Sequence, residues 1–132
     1  MTESPPSGHA ELRLFGLRGA AQAERNDSES ILATTDTLLR EMIRRNALQS
    51  ELMVSCILTA TADLDAEFPA VAARRLGLSA VPLLCTREID VPGAMPRVIR
   101  VLLHYYARWG HLPAHTYLGA AQALRVDLSS AQ

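Results

Sequence analysis

Lysine is absent from this chain: all thirteen basic residues are arginine. Schiff-base chemistry, lysine-anchored pyridoxal phosphate and the lysine-bearing phosphate loop therefore have no residue to carry them. Net charge is nearly absent too, since fourteen acidic residues leave a formal charge of −1. Such a balance gives no global electrostatic footprint for nucleic acid or an anionic membrane, so neither is expected as a partner. Cysteine is scarce. Cys56 and Cys85 lie in separate hydrophobic segments without metal-ligand spacing, which suits reduced thiols in a cytoplasm better than a disulfide scaffold. No apolar run reaches the roughly 18 residues of a membrane span, and residues 1–10 lack the apolar core of a secretory signal. His9, His104, His111 and His115 show no HExxH or comparable ligand spacing, and there is neither a GxSxG elbow nor a Gly-rich nucleotide loop. Metal, nucleophilic and cofactor chemistry are all left without support, and no cofactor is expected.

What is present is a chain of 132 residues, 48% of them hydrophobic, long enough for one domain with a substantial core. Residues 1–11, rich in Pro, Ser and Gly, read as a disordered leader before a single domain over 12–132. Residues 12–20 read as a first strand. Asn26-Asp27-Ser28-Glu29 then offers capping side chains ahead of apolar positions at Ile31, Leu32, Thr35, Leu38, Leu39, Met42 and Ile43, the clearest helix in the chain. Residues 52–60 form a second strand candidate, with Val54, Cys56 and Leu58 on one face. A shorter helix fits 69–76, opened by Pro69 and closed by Gly77, and a short buried strand fits 81–85. Pro92-Gly93 marks a turn before the run 97–107, which periodicity alone leaves open to helix. Its β-branched and aromatic content favours a strand. Residues 116–128 read as a short strand leading into a helical turn. The order β-α-β-α-β-β predicts an α/β (α+β) fold, one domain with a mixed β-sheet and two main helices.

Within the run Val98-Ile99-Arg100-Val101-Leu102-Leu103, Arg100 stands where a core residue is expected. A charge there costs several kcal/mol unless it is paired or faces a ligand, so Arg100 needs an anionic partner. Arg18 after the first strand, Arg74 in the second helix and Arg125 near the end also occupy apolar or turn contexts. Each of these three reads first as a surface or ion-paired arginine with a packed stem. Planar guanidinium forks suit carboxylates and phosphates, although an all-arginine composition is equally a product of genome base composition.

Five ordered segments carry a resemblance: Gly16-Leu17-Arg18-Gly19-Ala20, residues 62–70 (ADLDAEFPA), residues 81–91 (VPLLCTREIDV), Ile99-Arg100-Val101, and Tyr117-Leu118 followed by residues 124–128 (LRVDL). Together they resemble the AroH class of monofunctional chorismate mutases, from about residue 15 to 128. The resemblance implies a homotrimeric pseudo-α/β-barrel with active sites at subunit interfaces, rearranging chorismate to prephenate on the way to phenylalanine and tyrosine. It further implies that Arg18 binds a substrate carboxylate, that Arg100 faces the ether oxygen and that Glu88 lies near the ring hydroxyl, these three being the catalytic set. Cys85 would line the same pocket, Tyr117 would hold the side-chain carboxylate, Phe68 and Leu124 would form apolar walls, and Arg74 and Arg125 would stand at the mouth. Val71 departs from the family pattern where a lysine is expected at the rim, and Leu84 where a threonine is expected beside the cysteine. A pericyclic rearrangement fits a chain without nucleophile, metal or lysine. The rival readings are a non-catalytic trimeric module that holds a small dicarboxylate, a small trimeric deaminase acting on imines, and a structural or interaction protein.

Overall fold

A computed structural model describes residues 11–125. The leader expected over 1–11 lies, apart from Glu11, outside the described residues, as do residues 126–128 of the last family segment. In chain order the elements are β1 (Leu12–Gln22), α1 (Ser28–Asn46), a 3-10 turn (Ser50–Leu52), β2 (Met53–Ala60), α2 (Ala70–Arg75), β3 (Leu83–Arg87), β4 (Val98–Arg108), β5 (Thr116–Tyr117) and a second 3-10 turn (Gly119–Leu124). They form the mixed five-stranded sheet expected of an α+β chain, in the order β3-β2-β4-β1-β5. β4 runs antiparallel to both β1 and β2, while β3 and β5 join the edges in parallel.

α1 begins where its capping residues place it. Asp27 Oδ1 accepts from the Ser30 N–H at 2.7 Å, and Ser30 Oγ accepts in turn from the N–H groups of Glu24 and Arg25 at 3.1 Å each, so three donors of the incoming chain and first turn are satisfied. The buried stripe Ile31, Thr35, Leu38, Leu39 and Met42 faces the sheet, and Thr35 Oγ1 donates to the Ile31 carbonyl at 2.8 Å. Against this stripe lie Phe15 and Leu17 of β1, Cys56 and Leu58 of β2, and Val101, Leu103 and Tyr105 of β4, with Ala70 and Ala73 of α2 completing the core.

Both helices cover one face of the sheet. Residues of opposite parity, Leu14, Arg18, Ile57, Arg100, Leu102 and Tyr106, stand on the other face, which in the single chain is open apart from the corner under β5 and the second 3-10 turn. This arrangement corrects three sequence expectations. Arg100 is not a core residue, because β4 alternates and the flanking Ile99 and Val101 take the buried side. Val54 does not share a face with Cys56 and Leu58: a β-bulge between Met53 and Ser55 inserts one extra residue opposite β4, resets the alternation and leaves Val54 exposed while Met53 is buried. The third strand lies over Leu83–Arg87 rather than 81–85, and as an edge strand with one neighbour it is largely exposed, not buried.

Gly19 lies where β1 crosses α1. A Cβ there would run into Met42 Sδ and approach Leu38 Cδ1 to 3.2 Å. Gly19→Ala should therefore overpack the joint and lower stability by about 1–3 kcal/mol, read as a drop in the denaturant midpoint with an unchanged m-value. An unchanged midpoint would mean that α1 stands off the sheet further than described.

Candidate active site

β4 carries Arg100 between Ala20 of β1 and Thr59 of β2, so its side chain rises from the middle of the open face. The anionic partner that the sequence demanded is Glu88, just past β3, whose Oε1 lies 3.7 Å from Arg100 Nε. At that separation the two attract but share no hydrogen bond. Arg100 Nε is itself buried and has no hydrogen-bond partner among the described residues, although the whole side chain is 41% exposed. A buried donor left unmade costs about 1–3 kcal/mol, which an incoming acceptor would relieve. Glu88 is fixed from below: its N–H donates to the Ala60 carbonyl at 3.0 Å, and Thr59 Oγ1 donates to its Oε2. Thr59 is a site residue that sequence reasoning missed. Only the β2–β4 register, which pairs it with Arg100, exposes its role.

Arg18 stands on β1 opposite Leu102. Tyr117 reaches the same region because β5 pairs in parallel with Gly19 and Ala20. There Tyr117 is buried against Ala20 and Ala121, with Leu124 beside it. Arg18, Glu88, Arg100, Tyr117 and Leu124 thus line one cavity of about 350 Å³, floored by the side chains of Ile57 and Leu102. Three charged side chains over an apolar floor suit a small, carboxylate-bearing molecule.

The remaining expected site residues lie elsewhere on the single chain. Phe68, 66% exposed, and Cys85 line a second cavity of about 360 Å³, bounded by the loop 60–67 and Pro69. Cys85 pairs with Leu58 on β2 and packs against the core on the helix side. Arg74 is exposed on α2, and Arg125 is exposed at the end of the second 3-10 turn; neither borders a cavity described above. Val71 is half-buried on α2, whereas Leu84 is 60% exposed on β3. Burial, with Cys85 adding to it, pushes the Cys56 thiol up to about 12, so Cys56 is an inert core residue. A larger groove of about 420 Å³ beside the start of α1 contains none of the expected site residues, and its Arg25 is already engaged with Asp27 and Glu24.

His115 is the other residue sequence reasoning missed. Its Nδ1 accepts a hydrogen bond from the Arg18 backbone N–H at 3.0 Å. Loss of water around the ring, then the nearby guanidiniums of Arg18 and Arg125, lower its pKa from the usual imidazole value. Its position two residues before Tyr117 was visible, but nothing in the pattern told which strand its ring would meet.

Known proteins resemble this chain over most of its length. A chorismate mutase of Thermus thermophilus is 46% identical over 123 residues, covering 89% of this chain and 98% of that protein. One of Bacillus subtilis (strain 168) is 40% identical over 123 residues, covering 89% of this chain and 94% of that protein. A solved chorismate mutase structure from Clostridium thermocellum superposes with a TM-score of 0.76 at 38% identity, over 83% of this chain and 98% of that one. The family model described as chorismate mutase type I matches residues 14–128, and with these relatives it establishes that the chain belongs to the type I chorismate mutases, isomerases of aromatic amino acid biosynthesis.

Proposed function

We propose that this chorismate mutase converts chorismate to prephenate in the cavity of Arg18, Glu88, Arg100, Tyr117 and Leu124, by positioning and electrostatics alone. The observation that carries the reading is the Arg100–Glu88 pair: a buried, unpartnered guanidinium nitrogen 3.7 Å from a carboxylate oxygen, both facing one cavity. The reaction is a Claisen rearrangement in which the ether C–O bond breaks as a C–C bond forms between the enolpyruvyl carbon and the ring. Breaking runs ahead of making, so negative charge gathers on the ether oxygen and positive charge on the ring. The free donor of Arg100 meets the first and Glu88, braced by Thr59, the second. The Arg18 guanidinium and the Tyr117 hydroxyl hold carboxylate, so that the flexible dianion is bound already folded for reaction. No proton is transferred and no covalent bond to the protein forms.

The working unit is a homotrimer with each site between two subunits. Two features support this: seven of the nine family residues are split between two separate cavities on one chain, and the bare sheet face carries Leu14, Leu84, Leu102 and Tyr106 in exposed positions. A second copy that covers this face would bury the apolar side chains and bring Phe68, Arg74 and Cys85 of one subunit to the Arg100 cavity of the next. Both described thiols are free, in keeping with a cytoplasmic enzyme, and no helix among the described residues is long and apolar enough to cross a membrane.

A continuous spectrophotometric assay of chorismate loss, with prephenate identified as product, tests the reading. Because no proton moves, kcat should be nearly flat between about pH 7 and 9, unlike the bell of acid–base catalysis. Folded protein that leaves chorismate untouched would end the proposal. A steep bell centred in that range and unexplained by unfolding would end its mechanism.

A further inference from the structure

β5 ends abruptly at the catalytic cavity. It pairs with β1 only at Gly19 and Ala20, and the Leu118 N–H donates to the Ala20 carbonyl at 3.0 Å. If the parallel ladder continued, the Ala114 carbonyl would meet the next outward donor of β1, the Arg18 N–H. That carbonyl is occupied: Asn46 Nδ2 donates to it at 3.2 Å and Thr116 Oγ1 at 3.0 Å, while Asn46 Oδ1 accepts from the Ala114 N–H at 2.7 Å. The ring of His115 supplies the missing acceptor at 3.0 Å. An imidazole thus stands in for a ladder carbonyl beneath the arginine that holds the substrate carboxylate.

We infer that His115 is a positioning residue for the rearrangement, its Nδ1 fixing the Arg18 backbone and so the direction of the Arg18 guanidinium. This rests on the chorismate mutase reading of the cavity. The contact joins β1 to the segment 114–117, so His115 also ties Arg18 to Tyr117, the two groups that grip carboxylate. Nδ1 accepts only while unprotonated. The charged groups acting on the ring are Arg18 from β1 and Arg125 from the end of the second 3-10 turn, both cationic, and loss of water disfavours the imidazolium further. Protonation would set an N–H against the Arg18 N–H and add a third positive charge. The anchor is therefore intact above the ordinary imidazole pKa and is lost as pH falls through the lowered folded value.

Three variants separate anchoring from mere structure. His115→Asn keeps an acceptor, Oδ1, at the position of Nδ1; His115→Gln moves it one carbon outward; His115→Ala removes it. With a clamp made in ground and transition states alike, the Ala and Gln variants should raise KM for chorismate about tenfold with much smaller change in kcat. Amide hydrogen exchange at Arg18, followed by NMR without ligand, should accelerate in the same two variants. The Asn variant should stay within about threefold of the wild-type KM and lack the acid limb of the kcat/KM profile expected of the wild type below neutrality. Unchanged Arg18 exchange together with unchanged KM in His115→Ala would overturn the inference, as would an Asn variant as impaired as the Ala one. Wild-type protein that does not convert chorismate would instead sink the reading of the cavity, and Arg18 exchange would then judge the anchor alone: unchanged in His115→Ala, it overturns it.

Discussion

Arg100→Ala should lose about 10² to 10³ in kcat, roughly 3 to 4 kcal/mol of transition-state stabilisation, while thermal stability and oligomeric state stay close to wild type. The asymmetry comes from the environment of the side chain. Arg100 sits on the open face of the sheet and contributes nothing to the core. Its carboxylate neighbour among the described residues, Glu88, keeps the hydrogen bond from Thr59 and is 28% exposed, so truncation leaves no fully buried charge. What disappears is the unengaged Nε donor, and with it the group best placed to meet charge that develops only in the transition state. An interaction of that kind lowers kcat and kcat/KM together. Arg100→Lys distinguishes charge from geometry: an ammonium keeps the charge but has no planar fork, so most of the loss should persist. Near-wild-type kcat in Arg100→Ala would remove Arg100 from the chemistry. Substrate binding without turnover in the wild type would leave a dicarboxylate-holding module.

The parts of this architecture that depend on local pattern were legible before the structure. α1 announced itself through the capping residues Asn26-Asp27-Ser28-Glu29 and through a stripe at helical spacing. The anomaly at Arg100 pointed correctly to an anionic partner, Glu88. The failures share a cause, since each depends on a neighbouring strand. Arg100 looked buried because Ile99, Val101 and Leu103 surround it in sequence, yet a strand sends alternate residues to opposite faces, and the sequence does not say that one face is bare. An apolar residue such as Leu102 or Leu14 reads the same whether it meets a helix or another copy of the chain. The bulge at Val54 carries no glycine to mark it, and only pairing with β4 reveals the extra residue. His115 and Thr59 are ordinary polar residues until the register of β5 and β2 brings them beside Arg18 and Arg100. The family resemblance supplied roles for nine residues and implied a pocket between subunits, but not which of the nine a single chain keeps together.

That separation makes a mixing experiment decisive. Arg100→Ala damages the cavity of Arg18, Glu88 and Tyr117. Phe68→Ala combined with Arg74→Ala leaves that cavity whole and damages only the second region, which contains the exposed Phe68 ring and, on α2, an exposed guanidinium. If each site of the proposed trimer draws one region from each of two adjacent subunits, both variants alone are nearly inactive. Subunits exchanged by mild denaturant and dilution should then regain activity. In a random one-to-one mixture about a quarter of the sites would combine an intact Arg100 region with an intact Phe68–Arg74 region, a rise of one to two orders of magnitude above either parent. Arg100→Ala mixed with Arg18→Ala serves as the control: both lesions fall in the same cavity, no combination of subunits restores it, and activity should remain at the level of the parents. Recovery in the first mixture and not in the second would place the site between subunits. Equal failure of both would mean that each chain builds its site alone, and the bare sheet face would then need another occupant.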